Sequence, residues 1–230
     1  MMTFENGVLG FRTEGFGVDP WNLSIEVNGE ILHVSDARVH VEQSSPLVIR
    51  YTFTDPQIVW RIEVAGRDAE PVIDSTLINN GDRSVKLGKA WLMDSSSVRL
   101  GSREDDIVVL PWPVWGMTHV YRLSDPELPG LSKVKTQFFN RTRGQAVQIG
   151  FLTFQRANTH IEYQVDATRG LAAIKVSCDF AGWELAAHSE TSTETLGIKV
   201  GPDPYRQLEA WADEAGRRSH AKIWDQPPIG

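Results

Sequence analysis

An all-β fold, a large antiparallel sandwich of two stacked sheets with one α-helix near the carboxyl end, is what this sequence predicts. Three observations carry the prediction. Short runs of alternating apolar and polar residues follow one another up to about residue 200, clusters of Gly, Pro, Asn and Asp separate them, and no helical pattern intervenes. Strands spaced so closely leave no room for crossover helices, so a sandwich or barrel of antiparallel pairs is expected in place of a βαβ arrangement. At 230 residues the chain can bury a sizeable core as one domain. No repeat period marks a propeller or solenoid.

Taken in order, Leu23, Ile25 and Val27 share one strand face and lead into Asn28-Gly29, the pair that supplies two positive φ angles to a type I′ hairpin; Ile31 opens the return strand. Leu47 to Phe53 runs to Asp55-Pro56, after which Ile58, Trp60, Ile62 and Val64 line one side of the next strand, a second hairpin. Val72 to Ile78 reaches Asn79-Asn80-Gly81-Asp82, and Val85, Leu87, Trp91 and Met93 then alternate on one face, which predicts a third hairpin. Further strands are expected at Ile107–Leu110, Val134–Phe139, Val147–Phe154, Ile161–Val165, Leu171–Val176 and Thr191–Val200. The closing helix carries Leu208, Trp211, Ala212 and Ala215 at helical spacing, with Asp203 as N-cap, Pro204 at the first turn and Gly216 as its stop. Arg217 and Arg218 suit the negative end of its dipole.

Composition narrows function by exclusion. The formal charge of −7 disfavours nucleic acid, since affinity for a phosphate backbone comes from clustered Lys and Arg. A single cysteine, Cys178, excludes an intramolecular disulfide framework and is expected in the core. The amino terminus lacks a basic start, an apolar segment and a cleavage site, and no window is apolar enough to span a membrane; a soluble, cytoplasmic protein is the expectation. Asn22-Leu23-Ser24 and Asn140-Arg141-Thr142 then read as chance sequons.

The chain offers little chemistry. It has no G-x-S-x-G elbow, and Gly15-Phe16-Gly17 lacks the third glycine, the lysine and the helix of a nucleotide site. His33, Asp36 and His40 are the only local cluster of ligand types, but residues seven apart on a strand face opposite ways, so no metal is expected. Glu104-Asp105-Asp106 reads as a solvated turn. Glycoside hydrolysis needs two facing carboxylates, and nothing in the sequence pairs Glu162, Asp166 or Glu184, so no catalytic residue and no cofactor are assigned.

Tryptophan is over-supplied, with eight against four tyrosines. Sugar C–H faces stack on indole, so an aromatic excess in a β-sandwich points to carbohydrate. Trp60, Trp91 and Trp211 fall in phase with apolar neighbours and are expected in the core. Trp112 and Trp115 differ, because Pro111 and Pro113 break the ladder around them and place both in an irregular segment. They are the candidate substrate-binding residues.

Several stretches resemble a known family: Asn79 through Leu87, Ile149-Gly150-Phe151-Leu152-Thr153-Phe154, and Ser189-Glu190 through Glu194-Thr195-Leu196-Gly197-Ile198 to Gly201-Pro202-Asp203-Pro204 and Leu208-Glu209. Together they look like the amino-terminal β-supersandwich of α-galactosidase-type glycoside hydrolases, family 36 in clan D. Trp224-Asp225-Gln226-Pro227-Pro228-Ile229-Gly230 resembles the junction that precedes the catalytic (β/α)8 barrel in that family. The resemblance implies a galactose-mutarotase-like supersandwich over residues 1–200, and a helix and linker over 201–230 leading to a barrel. It places the catalytic aspartates in that barrel. It also implies a barrel partner in cis, a galactoside-type carbohydrate as ligand and a homo-oligomer. A structural, oligomerisation or substrate-entrance role follows, with a free-standing carbohydrate-binding protein as the alternative. An aldose 1-epimerase ranks last: Thr118-His119-Val120-Tyr121 superficially matches a mutarotase histidine motif, yet the accompanying Phe-Asn-Leu is missing.

Overall fold

A computed structural model describes residues 1–5, 7–67, 69–102, 104–112, 119–166 and 170–222. The chain opens with β1 (Met2–Glu5), β2 (Val8–Arg12), β3 (Gly17–Val27) and β4 (Glu30–His33). A 3-10 turn at Val34–Asp36 leads to β5 (Arg38–Ser44), β6 (Leu47–Thr52), β7 (Ile58–Arg67), β8 (Glu70–Asn79) and β9 (Val85–Ser95). Then come β10 (Val98–Arg99), β11 (Ile107–Pro111), β12 (Tyr121–Arg122), β13 (Leu131–Ser132), β14 (Lys135–Asn140) and β15 (Gln145–Phe151). β16 (Asn158–Asp166), β17 (Gly170–Leu185), β18 (Glu190–Ser192), β19 (Leu196–Gly201) and the helix α1 (Pro204–Arg218) complete it.

The strands form two antiparallel sheets. The first runs β1-β2-β3-β9-β17-β16-β13, with β4 and β10 also paired to β3; the second runs β12-β11-β14-β15-β19-β8-β7-β6-β5, with β18 on β8. Their facing sides bury one continuous apolar cluster that includes Trp21, Ile25, Leu87 and Cys178 from the first sheet and Tyr51, Trp60, Leu77, Phe138 and Ile149 from the second. The fold is the all-β sandwich that the alternation implies. β8 shows the underlying rule most plainly, since alternate residues from Pro71 to Asn79 are buried.

The first two hairpins form as the sequence dictates. Val27 pairs with Glu30 across a two-residue loop in which Asn28 and Gly29 have φ of 55° and 86°, the positive pair that a type I′ turn requires. β6 and β7 pair from Leu47↔Val64 to Thr52↔Val59.

The third expected hairpin is instead a crossover. Both edges of β8 are already taken, by β7 on one side and by β18 and β19 on the other, while β9 pairs with β3 and β17 in the first sheet. Asn79 directs the chain across: its Oδ1 accepts from Gly81 N at 3.0 Å while Nδ2 faces the carbonyls of Arg83, Leu185 and Ala186 at 2.8, 3.2 and 3.0 Å. The last two belong to the end of β17 and the loop after it.

Trp91 also departs from expectation. Between Ile25↔Ala90 and Val27↔Leu87, two residues of β9, Gly88 and Lys89, oppose the single Glu26 of β3. Such a bulge shifts the inward phase by one. Ala90 and Leu92 become fully buried, and a half-buried Trp91 is left on the outer side of the sheet. Trp60 does lie in the core, fully buried.

α1 is capped by Asp203, whose Oδ1 accepts from Tyr205 N at 3.0 Å and Arg206 N at 3.1 Å, with Pro204 at its first position. It does not stop at Gly216 but continues to Arg218, with Ser219 as C-cap bonding to the Ala215 and Arg217 carbonyls. Its buried stripe holds Gln207 and Ala215 with half-buried Leu208 and Trp211, whereas Ala212 is exposed. The helix lies on β14, β15 and β19, on the side of the second sheet away from the core. Among the described residues no helix is long and apolar enough to cross a membrane.

Candidate functional site

The sequence-predicted Trp112 follows directly on β11, where the ladder ends. Its N–H donates to Ser132 Oγ at 2.6 Å, its carbonyl accepts from Lys133 N at 2.9 Å, and the Ser132 hydroxyl donates in turn to the Lys135 carbonyl. These bonds fix the backbone of Trp112 against β13 and the start of β14. The residue stays 43% exposed, which leaves its ring accessible to a ligand. Trp115, the second sequence-predicted residue, lies outside the described residues.

Beside Trp112 stands a residue that sequence reasoning missed. In the register of β14 and β15, Phe138 pairs with Val147 and faces the core, so Lys135, opposite Gly150, projects to the outer side. Lys135 is only 3% exposed, and its Nζ lies 5.1 Å from the Trp112 ring and 5.8 Å from the Trp211 ring. Among the described residues it forms no ion pair. Burial pushes its pKa down from the usual 10.5 to about 8. Cation–π attraction to the two indoles acts in the opposite direction and favours the ammonium.

α1 supplies Trp211, and glycine makes room for it. A Cβ on Gly150 would sit 2.5 Å from Trp211 Nε1 and 2.9 Å from the Lys135 Cβ. Trp211 Nε1 donates to the Phe151 carbonyl at 3.1 Å, and Gln137 Nε2 donates to the Pro204 carbonyl at 2.8 Å, which anchors the start of the helix. The result is an exposed indole above a desolvated amine, with a second indole beneath the helix. The exposed indole can stack on the apolar face of a ring, while the Lys135 amine beneath it is buried. No carboxylate of the described residues completes an acid–base pair there.

The remaining sequence candidates are dispersed. His33 ends β4 in the first sheet and His40 lies on β5 in the second, both exposed. Among the described residues no three His, Cys, Asp or Glu side chains gather in a metal-binding group. Glu162 pairs across β16 and β17 with Lys175, while Glu184 lies beyond the bulge of β17 opposite Lys86. His119 is exposed and packs edge-on against Tyr121.

Asp105, expected in a solvated turn, is instead engaged by Arg143 Nε at 2.6 Å, Asn140 Nδ2 at 2.7 Å and Ser102 N at 3.0 Å. The Arg143 and Asn140 bonds hold its carboxyl well below the ordinary carboxylate range. It is a structural anchor at the rim of a cavity of about 740 Å3 shared with Arg122, Asp125 and Tyr163. Cys178 is fully buried in the core and its thiol is pushed up to about 12 by burial, which removes it as a nucleophile.

No family model and no curated protein sequence matches the chain. Solved structures do. The GH36 alpha-galactosidase AgaA from Geobacillus stearothermophilus in complex with stachyose is 14% identical, over 96% of this chain and 36% of that one, with a TM-score of 0.56. In complex with raffinose the same enzyme matches over 92% and 33%, at 13% identity and TM-score 0.57. The alpha-galactosidase from Lactobacillus brevis matches over 88% and 29%, at 13% identity and TM-score 0.51. The chain therefore spans about a third of the length of these enzymes, and nearly all of it shares the fold of one part of a family 36 alpha-galactosidase.

Proposed function

We propose that this chain is the non-catalytic, amino-terminal sandwich region of an alpha-galactosidase-like glycoside hydrolase, which braces a catalytic barrel in cis and brings Trp112 and Trp115 to its substrate entrance. The observation that carries the reading is the lopsided coverage: 96% of this chain corresponds to 36% of the AgaA chain, which binds stachyose. The exposed Trp112 indole, fixed on both sides of its peptide by Ser132 and Lys133, supports the entrance role. The same exposure also favours the second reading, a sugar-binding protein that acts alone.

The test compares the 230-residue chain with a version extended into its downstream coding sequence. The extended protein is expected to cleave a nitrophenyl α-galactoside and the short chain to leave it intact; cleavage by the short chain alone refutes the reading. In the extended protein, Trp112→Ala is expected to raise KM for raffinose several-fold with little change in kcat, because a stacking contact outside the reacting centre contributes to ground and transition state alike.

A further inference from the structure

The outward displacement of Trp91 opens a second surface, on the first sheet, which meets the Trp112 site only at its β16 edge, where Lys133 Nζ bonds His160 Nε2. Strand register aligns five residues in one row across its outer side: His33 on β4, Ser24 on β3, Trp91 on β9, Ser177 on β17 and His160 on β16. At about 4.8 Å between strands this row spans about 19 Å, with the indole at its centre. The next row runs Asn22, Asp94, Lys175 and Glu162, where Lys175 Nζ and Asp94 Oδ2 are 3.0 Å apart. On the other side Lys89 and Asp179 are partners. α1 lies on the opposite sheet.

We propose that this face binds a neutral, extended oligosaccharide, with one sugar ring stacked on Trp91 and the flanking rows bonding its hydroxyls. Charge selects the ligand class. Glu26, Asp94, Glu162 and Asp179 give four negative charges against three positive ones from Lys89, Lys133 and Lys175, so the face carries a net charge of −1 with histidine neutral, too balanced for nucleic acid or a sulfated chain. Interleaved donors and acceptors around an indole suit polyhydroxyl groups, each of which donates one hydrogen bond and accepts others. Length selects the size, because a 19 Å row is longer than a monosaccharide needs.

A second, independent observation concerns unspent polar groups. Ser24 and Ser177, beside Trp91, are 7% and 1% exposed, and neither hydroxyl bonds another described residue. His160 Nδ1 at the end of the row is buried and unpartnered. Polar atoms left so in one row with an indole are what a ligand's hydroxyls would satisfy. This inference does not depend on the galactosidase reading, since it concerns another sheet.

The experiment titrates the 230-residue protein with stachyose, maltotetraose, cellotetraose and xylotetraose, and with a sulfated tetrasaccharide as control. It follows indole and backbone amide NMR signals. At least one neutral tetrasaccharide is expected to saturate the protein and shift the Trp91 indole with amides of β3, β9 and β17. Trp91→Ala should weaken that binding at least tenfold while Trp112→Ala leaves it within twofold. If Trp91→Ala fails to fold, Lys175→Met on the surface must weaken it at least threefold. The proposal is overturned if no neutral tetrasaccharide saturates, or if the sulfated one binds more tightly. Loss of binding in Trp112→Ala alone, or burial of this face by self-association in solution, overturns it equally.

Discussion

Two layers of this molecule are closed to water and are built on opposite chemistry. Between the sheets the contacts are almost wholly apolar; of the few polar groups, Trp60 Nε1 donates to Ser75 Oγ at 3.1 Å and Ser75 meets Thr193 at 2.8 Å, while Thr136 Oγ1 and Tyr163 OH are buried without partners. Under α1 the same second sheet offers Lys135, Gln137 and Gln148 from its outer side, and the helix answers with Gln207 and Trp211. There Gln148 Oε1 and Gln207 Oε1 are buried without partners. The core is held by apolar burial, the helix by a few directed bonds and one indole over a glycine. The first layer makes the fold, and the second positions a helix beside Trp112.

Breaking the core should cost most. Trp60→Ala removes a fully buried indole and the partner of Ser75, and is expected to destabilise the protein by about 3–5 kcal/mol, read as a lower denaturant midpoint at unchanged slope. A comparable loss from any single change under α1 would erase the distinction between the layers.

Lys135 gives the second test, with opposite sign. Its folded pKa of about 8 lies below the unfolded value of about 10.5, so below pH 8 the native state holds an ammonium that water would hydrate better. As pH rises from about 8 to 10.5 the unfolded chain binds more protons than the native one, and stability rises. The penalty at neutral pH is about 3 kcal/mol by linkage. Lys135→Met is therefore expected to be more stable than the parent at pH 7, with the gap closing by about pH 10.5. A parent that loses stability relative to the variant over that window contradicts the assignment.

Gly150→Ala sharpens the comparison from the helix side. The added methyl meets Trp211 Nε1 and the Lys135 Cβ, so the helix must lift or the indole rotate, an overpacking cost of about 1–3 kcal/mol. Fluorescence of Trp211 should shift toward that of a solvated indole while the core tryptophans report no change.

How much of this was legible in the sequence depends on which layer is asked. Alternation found the inward faces of β3, at Leu23, Ile25 and Val27, and of β7, at Ile58, Trp60, Ile62 and Val64, because one buried side imposes a strict period of two. Asn28-Gly29 located its hairpin, since the turn chemistry is local. Register was the limit. Gly88 was the available sign of a bulge, and missing it turned Trp91 from a platform into a core residue. Nothing local could announce the crossover after Asn79, whose amide bonds residues more than a hundred positions away. Lys135 escaped for a similar reason: a lysine opening a strand reads as solvated, and only the helix laid over it later in the chain removes it from water. The family resemblance anticipated the fold, while the Trp112 and Trp115 assignment rested on their prolines.

The smallest effect is at the helix cap, and it tests whether α1 is energetically separate. Asp203 accepts from two backbone N–H groups that would otherwise face no acceptor, so Asp203→Ala should cost about 1 kcal/mol of helix stability. If the helix layer opens independently of the sandwich, amide exchange in α1 accelerates about fivefold while that of β7 and β8 is unchanged. The Lys135 and Trp211 contact should loosen in step, because the first turn is the end that Gln137 holds through the Pro204 carbonyl. Equal acceleration in helix and core would instead mean one cooperative unit, with the polar layer as integral to the fold as the apolar one.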